Sequence, residues 1–233
     1  AYRRASPDRV ARLARRLGLP SLALTYSEPF AWYEYSLDLA RAAADAGVDT
    51  VLVTAAYANR EPARRLFAAV RAANIDLKAM NDPFYRKYCG GSLRPVLDNL
   101  VLAKSLGVWV EVTNLLIPSL NDTPEQVKEL CRWHRRNLGA DTPLHFSAFF
   151  PRHRMRHLPP TPAATLLRAR ETALDEGLRY VYLGNLRGRT GSDTQCPSCG
   201  ARLVRRIGYR VEVTGLEEGK CGRCGTAIPG RWS

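Results

Sequence analysis

No apolar run in this chain reaches the roughly 18 residues that a membrane-spanning helix needs, and nothing near its start reads as the apolar region of a secretory signal. A spanning helix within these residues is excluded by that reading, and a cytoplasmic protein is expected. Acidic residues are in short supply, 22 against 35 basic ones, which leaves a net charge of +13. Lysine is scarcer still, at five of those 35. Nucleic acid, an anionic cofactor or an acidic protein is a conceivable partner for such a charge. The arginines, however, are scattered along helical stretches (Arg12, Arg15, Arg16, Arg41, Arg64, Arg65) in an Ala-rich context, as in a surface biased to Arg over Lys. No basic run studded with aromatics suggests a nucleic-acid groove, so nucleic acid is not the expected partner. Also absent is a strand before the first helical stretch, SPDRVARLARRLG, and the sequence opens at Ala1 rather than Met, as a fragment does.

What is present alternates. Short apolar or β-branched runs read as strands over 21–26, 50–55, 75–79, 108–117, 143–150 and 180–185. Helical stretches lie between them: FAWYEYSLDLARAAADAG, EPARRLFAAVRAAN, RPVLDNLVLAKSLG, TPEQVKELCRWHRRNLG and TPAATLLRARETALDEG. Most begin at Pro or Thr-Pro and stop at Gly or Asn, where helices begin and end. Strand–helix alternation predicts an α/β fold with parallel strands, and the number of units suggests a full or partial barrel. A βα repeat that opens on a helix is expected to have lost its first strand. After Gly191 the texture changes to Cys, Gly, Arg and turn residues, so two domains are expected, 1–190 and 191–233.

Cys196-Pro-Ser-Cys199-Gly and Cys221-Gly-Arg-Cys224-Gly form two CxxC knuckles. Each is followed by a Gly that lets the backbone turn its N–H groups toward thiolates. Four thiolates at this spacing suit tetrahedral Zn²⁺. A rubredoxin-like iron site and two disulfides are the alternatives, the second disfavoured in a reducing compartment. With all four positions filled by Cys the metal is read as structural, supplying folding energy to a module that has almost no core. Cys131, on an amphipathic helix, is read as core. Cys89, before Gly90 and Gly91, is a bystander or a reactive thiol. His153 and His157, in the Pro- and Arg-rich loop PRHRMRHLPPTP, do not read as a metal pair.

In parallel α/β folds functional groups collect at the carboxyl ends of strands. Those ends carry Glu28, Thr54, Asp76, Lys78, Glu111, Asn114 and His145. Asp76 and Lys78 flank Leu77 and share a face. They suit a ligand with both an ammonium and a carboxylate, or they satisfy each other. Glu28, just before Pro29, has two readings as well: a helix-start carboxylate meeting the dipole, or a ligand group.

Taken together, TYSEP, VT-x-x-Y, DLK with FYRKYCGG, EVTNLLIPSLND, HFSAFFP, YVYLGN and the terminal CPxCG…CGxCG resemble the radical SAM proteins of the AmmeMemoRadiSam system, relatives of pyruvate formate-lyase activating enzymes. The resemblance covers nearly the whole chain. It implies a partial (βα)₆ barrel, here missing its first strand, with a C-terminal four-cysteine zinc ribbon. It further implies that Glu28 grips the amino group of S-adenosylmethionine (SAM), and that Thr54, Asp76, Lys78, Asn114 and His145 belong to the same site.

The departures are specific. The family's CxxxCxxC, whose thiolates hold a [4Fe–4S] cluster, is nowhere in the sequence. Ala55, Ala148 and Phe150 stand where the resemblance leads one to expect Asn, Arg and His. Two functions follow. One is a radical SAM enzyme, here as a fragment or degenerate member, whose intact form cleaves SAM reductively to a 5′-deoxyadenosyl radical acting on an unknown substrate. The other is a non-catalytic barrel plus zinc ribbon that binds a protein or nucleic acid.

Overall fold

The computed structural model describes residues 5–186, 191–208 and 210–232. In chain order its main elements are α1 (Pro7–Arg16), β1 (Ser21–Leu24), α2 (Tyr33–Asp45), β2 (Asp49–Thr54), α3 (Arg60–Ala68), β3 (Ala72–Asp76) and α4 (Asp82–Phe84). There follow α5 (Arg94–Ser105), β4 (Trp109–Leu116), α6 (Pro124–Leu138), β5 (Leu144–Ala148), α7 (Ala163–Asp175) and β6 (Val181–Gly184). β7 (Thr194–Gln195), β8 (Arg202–Ile207), β9 (Arg210–Val213), β10 (Leu216–Glu217) and β11 (Lys220–Cys221) complete the chain. The sheet of six strands runs in the order β1 to β6 with no reversal. A doubly wound sheet would carry a switch point where the order reverses.

Two compact units divide the chain: residues 1–77 with 88–111, and residues 78–87 with 112–233. The cysteine-rich segment therefore groups with the second unit. In the first unit, α1 lays Ala11 and Ala14 on Ala43 of α2 and on Val48, an all-small contact that lets the two helices approach closely. Phe30 meets Phe67 edge to face at 5.9 Å. In the second unit, Leu144, Phe146, Leu116 and Leu166 are fully buried.

Four helices end alike. After α2, Gly47 takes φ +70°, its N–H bonds Ala44 O, and Val48 N–H reaches back to Ala43 O. Gly18, Gly107 and Gly177 close α1, α5 and α7 with the same pair of bonds. This double closure needs a left-handed residue, which Gly adopts without a Cβ clash, and it places an apolar residue (Leu19, Val48, Val108, Leu178) at the turn toward the next strand.

Strand burial alternates. In β4 Val110, Val112, Asn114 and Leu116 are buried, while Glu111 and Thr113 are half-buried, and β5 follows suit. Helices cover one face of each strand and leave the other partly open.

Two elements differ from the sequence reading. The expected helix 61–74 stops at Ala68, and β3 begins at Ala72, three residues before the expected strand over 75–79. Alanine favours helix intrinsically, but Ala72 and Ala73 pair with Val51 and Leu52 of β2, and the buried pairing prevails. Between the two cysteine knuckles β8 and β9 pair antiparallel, with Arg206 facing Val211.

Candidate functional site

In the first unit the carboxylate of Glu28 organises the carboxyl end of β2. Glu28 caps the 3-10 turn Pro29–Trp32, its Oε1 accepting from Phe30 N–H at 3.3 Å. The same oxygen accepts from the Thr54 hydroxyl, and Oε2 accepts from Ala55 N–H at 2.8 Å. Thr54 is 3% exposed, and its Oγ1 in turn accepts from Ala56 N–H at 2.9 Å. The capping reading of Glu28 is thus correct as far as it goes. A carboxylate offers about four lone-pair positions. Three are filled here, and the one that remains, on Oε2, is available to an ammonium.

The loop after β2 is held from below by Asn99 of α5, 2% exposed, whose Nδ2 donates to Ala56 O at 2.9 Å and Ala58 O at 2.8 Å. Tyr57 lies against Gly91, where a Cβ would come within 2.8 Å of the ring. The glycine after Cys89-Gly90 is therefore a packing requirement. Asp76 ends β3 half-buried, on the same side as Asn74, while Glu111 accepts from Trp109 Nε1 at 3.2 Å.

In the second unit Lys78 is fixed through its backbone. Its N–H donates to the Tyr85 hydroxyl at 3.1 Å, and its carbonyl accepts from Asn114 Nδ2 at 3.2 Å and Asn121 Nδ2 at 2.6 Å. Asn114 is 1% exposed and stands on the helix-covered face of β4 with Val112 and Leu116. The open face presents Thr113, paired across strands with His145. His145 stacks on Tyr182 of β6 with centroids 5.0 Å apart. The Arg206 guanidinium lies 5.4 Å from the Tyr182 ring, and its Nη1 donates to Thr194 Oγ1 at 2.8 Å. Thr54 and Asn114 accordingly do structural work on buried faces, while Asp76 and His145 occupy open ones. Thr113 lies beside His145 on that face, where the period-2 alternation through Glu111 and Thr113 in EVTN places it.

The four C-terminal sulfurs, of Cys196, Cys199, Cys221 and Cys224, all lie within 4.8 Å of one another. Cys196 and Cys224 are 3.6 Å apart, Cys199 and Cys221 3.7 Å. A disulfide would need about 2.05 Å. A tetrahedron with metal–sulfur bonds of about 2.3 Å has edges of about 3.8 Å. The geometry is that of a four-thiolate metal group. The hydroxyl of Thr226 lies 3.2 Å from Cys224 Sγ, and hydrogen bonding to Thr226 draws that thiol down, whereas desolvation and the neighbouring sulfurs push Cys199 up. No other group of three or more metal-ligating side chains occurs among the described residues. Cys89 and Cys131 stand apart from this group, so the thiols present do not fit a SAM-cleaving cluster.

An α/β protein with one uninterrupted parallel sheet, polar groups at its strand ends and a cysteine metal module is the class defined by these features. The chain belongs to the radical SAM superfamily, whose family model matches residues 1–134. It is 42% identical over 229 residues to an uncharacterised protein of Methanocaldococcus jannaschii, covering 97% of this chain and 68% of that one. It is 26% identical over 136 residues to the isethionate sulfite-lyase activating enzyme of Oleidesulfovibrio alaskensis, covering 58% of this chain and 42% of the enzyme. Among solved structures, a domain of pyruvate-formate lyase-activating enzyme from Bacteroides vulgatus superposes with a TM-score of 0.61 at 16% identity, over 70% of this chain and 98% of the domain. SuiB of Streptococcus suis, bound to S-adenosylmethionine, gives 0.64 at 13%, over 80% of this chain and 45% of that protein. At such identities these structures speak for the fold alone. No described helix is long and apolar enough to cross a membrane.

Proposed function

We propose that this chain is the SAM-binding body of a radical SAM protein of the AmmeMemoRadiSam type, with its [4Fe–4S] ligands outside these 233 residues. In this reading the six strands form a partial barrel over 1–190, and 191–233 is a zinc ribbon. The observation that carries the reading is the Glu28 carboxylate, held by Phe30, Thr54 and Ala55 with one acceptor position left on Oε2. That is what one N–H of the SAM ammonium requires. Asp76, in the same unit, is assigned to the same ligand, and Thr54 to the support beneath it. No radical step is derived, because the thiols in hand do not fit the cluster.

Without the cluster, SAM has only a few charge-assisted hydrogen bonds, each worth about 1.5–3 kcal/mol, set against an association cost of roughly 4–15 kcal/mol. A millimolar or weaker dissociation constant is expected. Ligand-observed NMR titration of SAM into the wild-type chain and Glu28→Gln tests this. A variant that binds roughly tenfold or more weakly is the expected result. Equal binding by the two removes Glu28 from the site and with it the reading.

A second reading, the non-catalytic scaffold, draws on Ala55, Ala148 and Phe150, which replace polar residues the resemblance leads one to expect at strand ends. The reading frame of the parent gene separates the two: a CxxxCxxC elsewhere in it supports the enzyme, and its absence there supports the scaffold.

A further inference from the structure

The connection from β5 to α7 has no place in the SAM reading, yet it is the most one-sidedly charged segment of the chain. No Asp or Glu occurs between Asp141 and Glu171. Five of the six residues from Arg152 to His157 are Arg or His, and all five are exposed. Several exposed arginines elsewhere pair with nearby carboxylates: Arg64 and Arg65 with Glu61, Arg94 with Asp98, Arg132 with Glu176, Arg179 with Asp141. Among the described residues Arg152, Arg154 and Arg156 have no such partner.

The loop is nevertheless built. Thr161 closes its base, its N–H donating to Phe149 O at 3.0 Å while its Oγ1 accepts from Phe149 N–H at 2.8 Å and donates to Leu116 O at 2.6 Å. Inside it Met155 N–H bonds Arg152 O and Leu158 N–H bonds Met155 O. His153 is held at φ +48°, a left-handed conformation that costs energy for a residue with a Cβ. Phe150, at the loop's root, is 55% exposed. Three like charges fixed on a closed loop repel one another, and an anion that enters among them relieves the repulsion. The loop leaves the carboxyl end of β5, the end at which parallel α/β proteins receive their ligands.

We propose that the β5–α7 loop is a phosphate-binding site, in which Arg152, Arg154 and Arg156 take clustered phosphates of the substrate and Phe150 offers its ring to the attached base. The site deepens the proposed function by naming a substrate class, and it rests on that reading only in treating the strand ends as the substrate side. Planar guanidinium groups match phosphate oxygens two at a time, and a neighbouring exposed aromatic ring is a stacking platform for a nucleobase.

The test uses the full metal-loaded chain without SAM, by fluorescence anisotropy with a short labelled oligouridylate, alongside competition by inorganic tripolyphosphate. The triple variant R152Q/R154Q/R156Q is compared with R9Q/R12Q/R16Q on α1, which removes the same charge from exposed positions elsewhere. The loop variant is expected to weaken binding by roughly tenfold or more and to lower the slope of log K against log salt by about two, whereas the α1 variant changes neither greatly. Tripolyphosphate that displaces the strand at comparable phosphate concentration identifies a small phosphorylated substrate, and a strand that resists displacement identifies a nucleic acid. Equal losses in the two variants, or a wild-type chain that binds neither probe, overturn the proposal. Failure here leaves the SAM titration untouched, since Glu28 belongs to the other unit.

Discussion

At the residue scale, the same side-chain chemistry means different things at different depths. Cys131 is fully buried on α6, and burial pushes its thiol up to about 12, with the carboxylate of Glu176 adding to the rise. Cys89 is exposed. At pH 8 only about one in ten thousand Cys131 thiols is a thiolate, the reactive form. A thiol reagent applied to the metal-loaded native chain should therefore modify Cys89 and spare Cys131, as peptide mass mapping will show. Modification of both at similar rates contradicts the buried placement. The sign of the linkage follows from the direction of the shift. A thiol whose folded value lies above its unfolded 9 stabilises the fold fully below pH 9, and that contribution is lost as pH rises toward 12. Glu28 makes the complementary point, since its role as a helix cap and its proposed role as a ligand use different lone pairs of one carboxylate.

At the element scale, most helix ends were legible, but the end of α3 and the start of β3 were not. Pro and Thr-Pro at helix starts and Gly at their ends have local causes: a missing donor where none is needed, and a left-handed turn that only Gly makes cheaply. The start of β3 has no such local cause. Its alanines are good helix formers, and only their pairing with β2 makes them strand. The junction of β6 with the cysteine module yields a prediction of its own. Tyr180 is 5% exposed and packs with Cys196, Leu203, Val204, Cys221 and Ile228, and its hydroxyl has no hydrogen-bond partner among the described residues. Desolvation pushes the phenol up to about 12, which keeps it neutral. An unsatisfied buried hydroxyl costs about 1–3 kcal/mol. Tyr180→Phe should therefore leave stability unchanged or raise it by about 1 kcal/mol, measured as the urea midpoint. A marked loss would reveal a bond to that hydroxyl.

At the scale of the whole molecule, the cysteine module is expected to depend on a bound metal. Its core cluster has six buried members, two of them the ligands Cys196 and Cys221. So little apolar area cannot offset the entropy of ordering some forty residues, at roughly 1–2 kcal/mol each. The metal is expected to make up the difference. Elemental analysis should find about one zinc per chain and no stoichiometric iron. Chelation should open 191–232 to protease while 5–186 resists. A four-iron cluster recovered on anaerobic reconstitution would overturn the zinc assignment.

The α/β class, the helix caps, the order of the elements and the two CxxC knuckles were all decided by the sequence itself, because each rests on contacts between residues close in the chain or on the side-chain period of one element. The proposed ligand residues were legible as strand-end positions for the same reason. The tertiary structure alone decided which face each takes: Asn114 inward to Lys78 O, Thr113 outward beside His145, and Thr54 and Ala55 closing on Glu28 across more than twenty-five residues. A strand's period sorts its residues into two sets, but only packing against helices determines which set is buried.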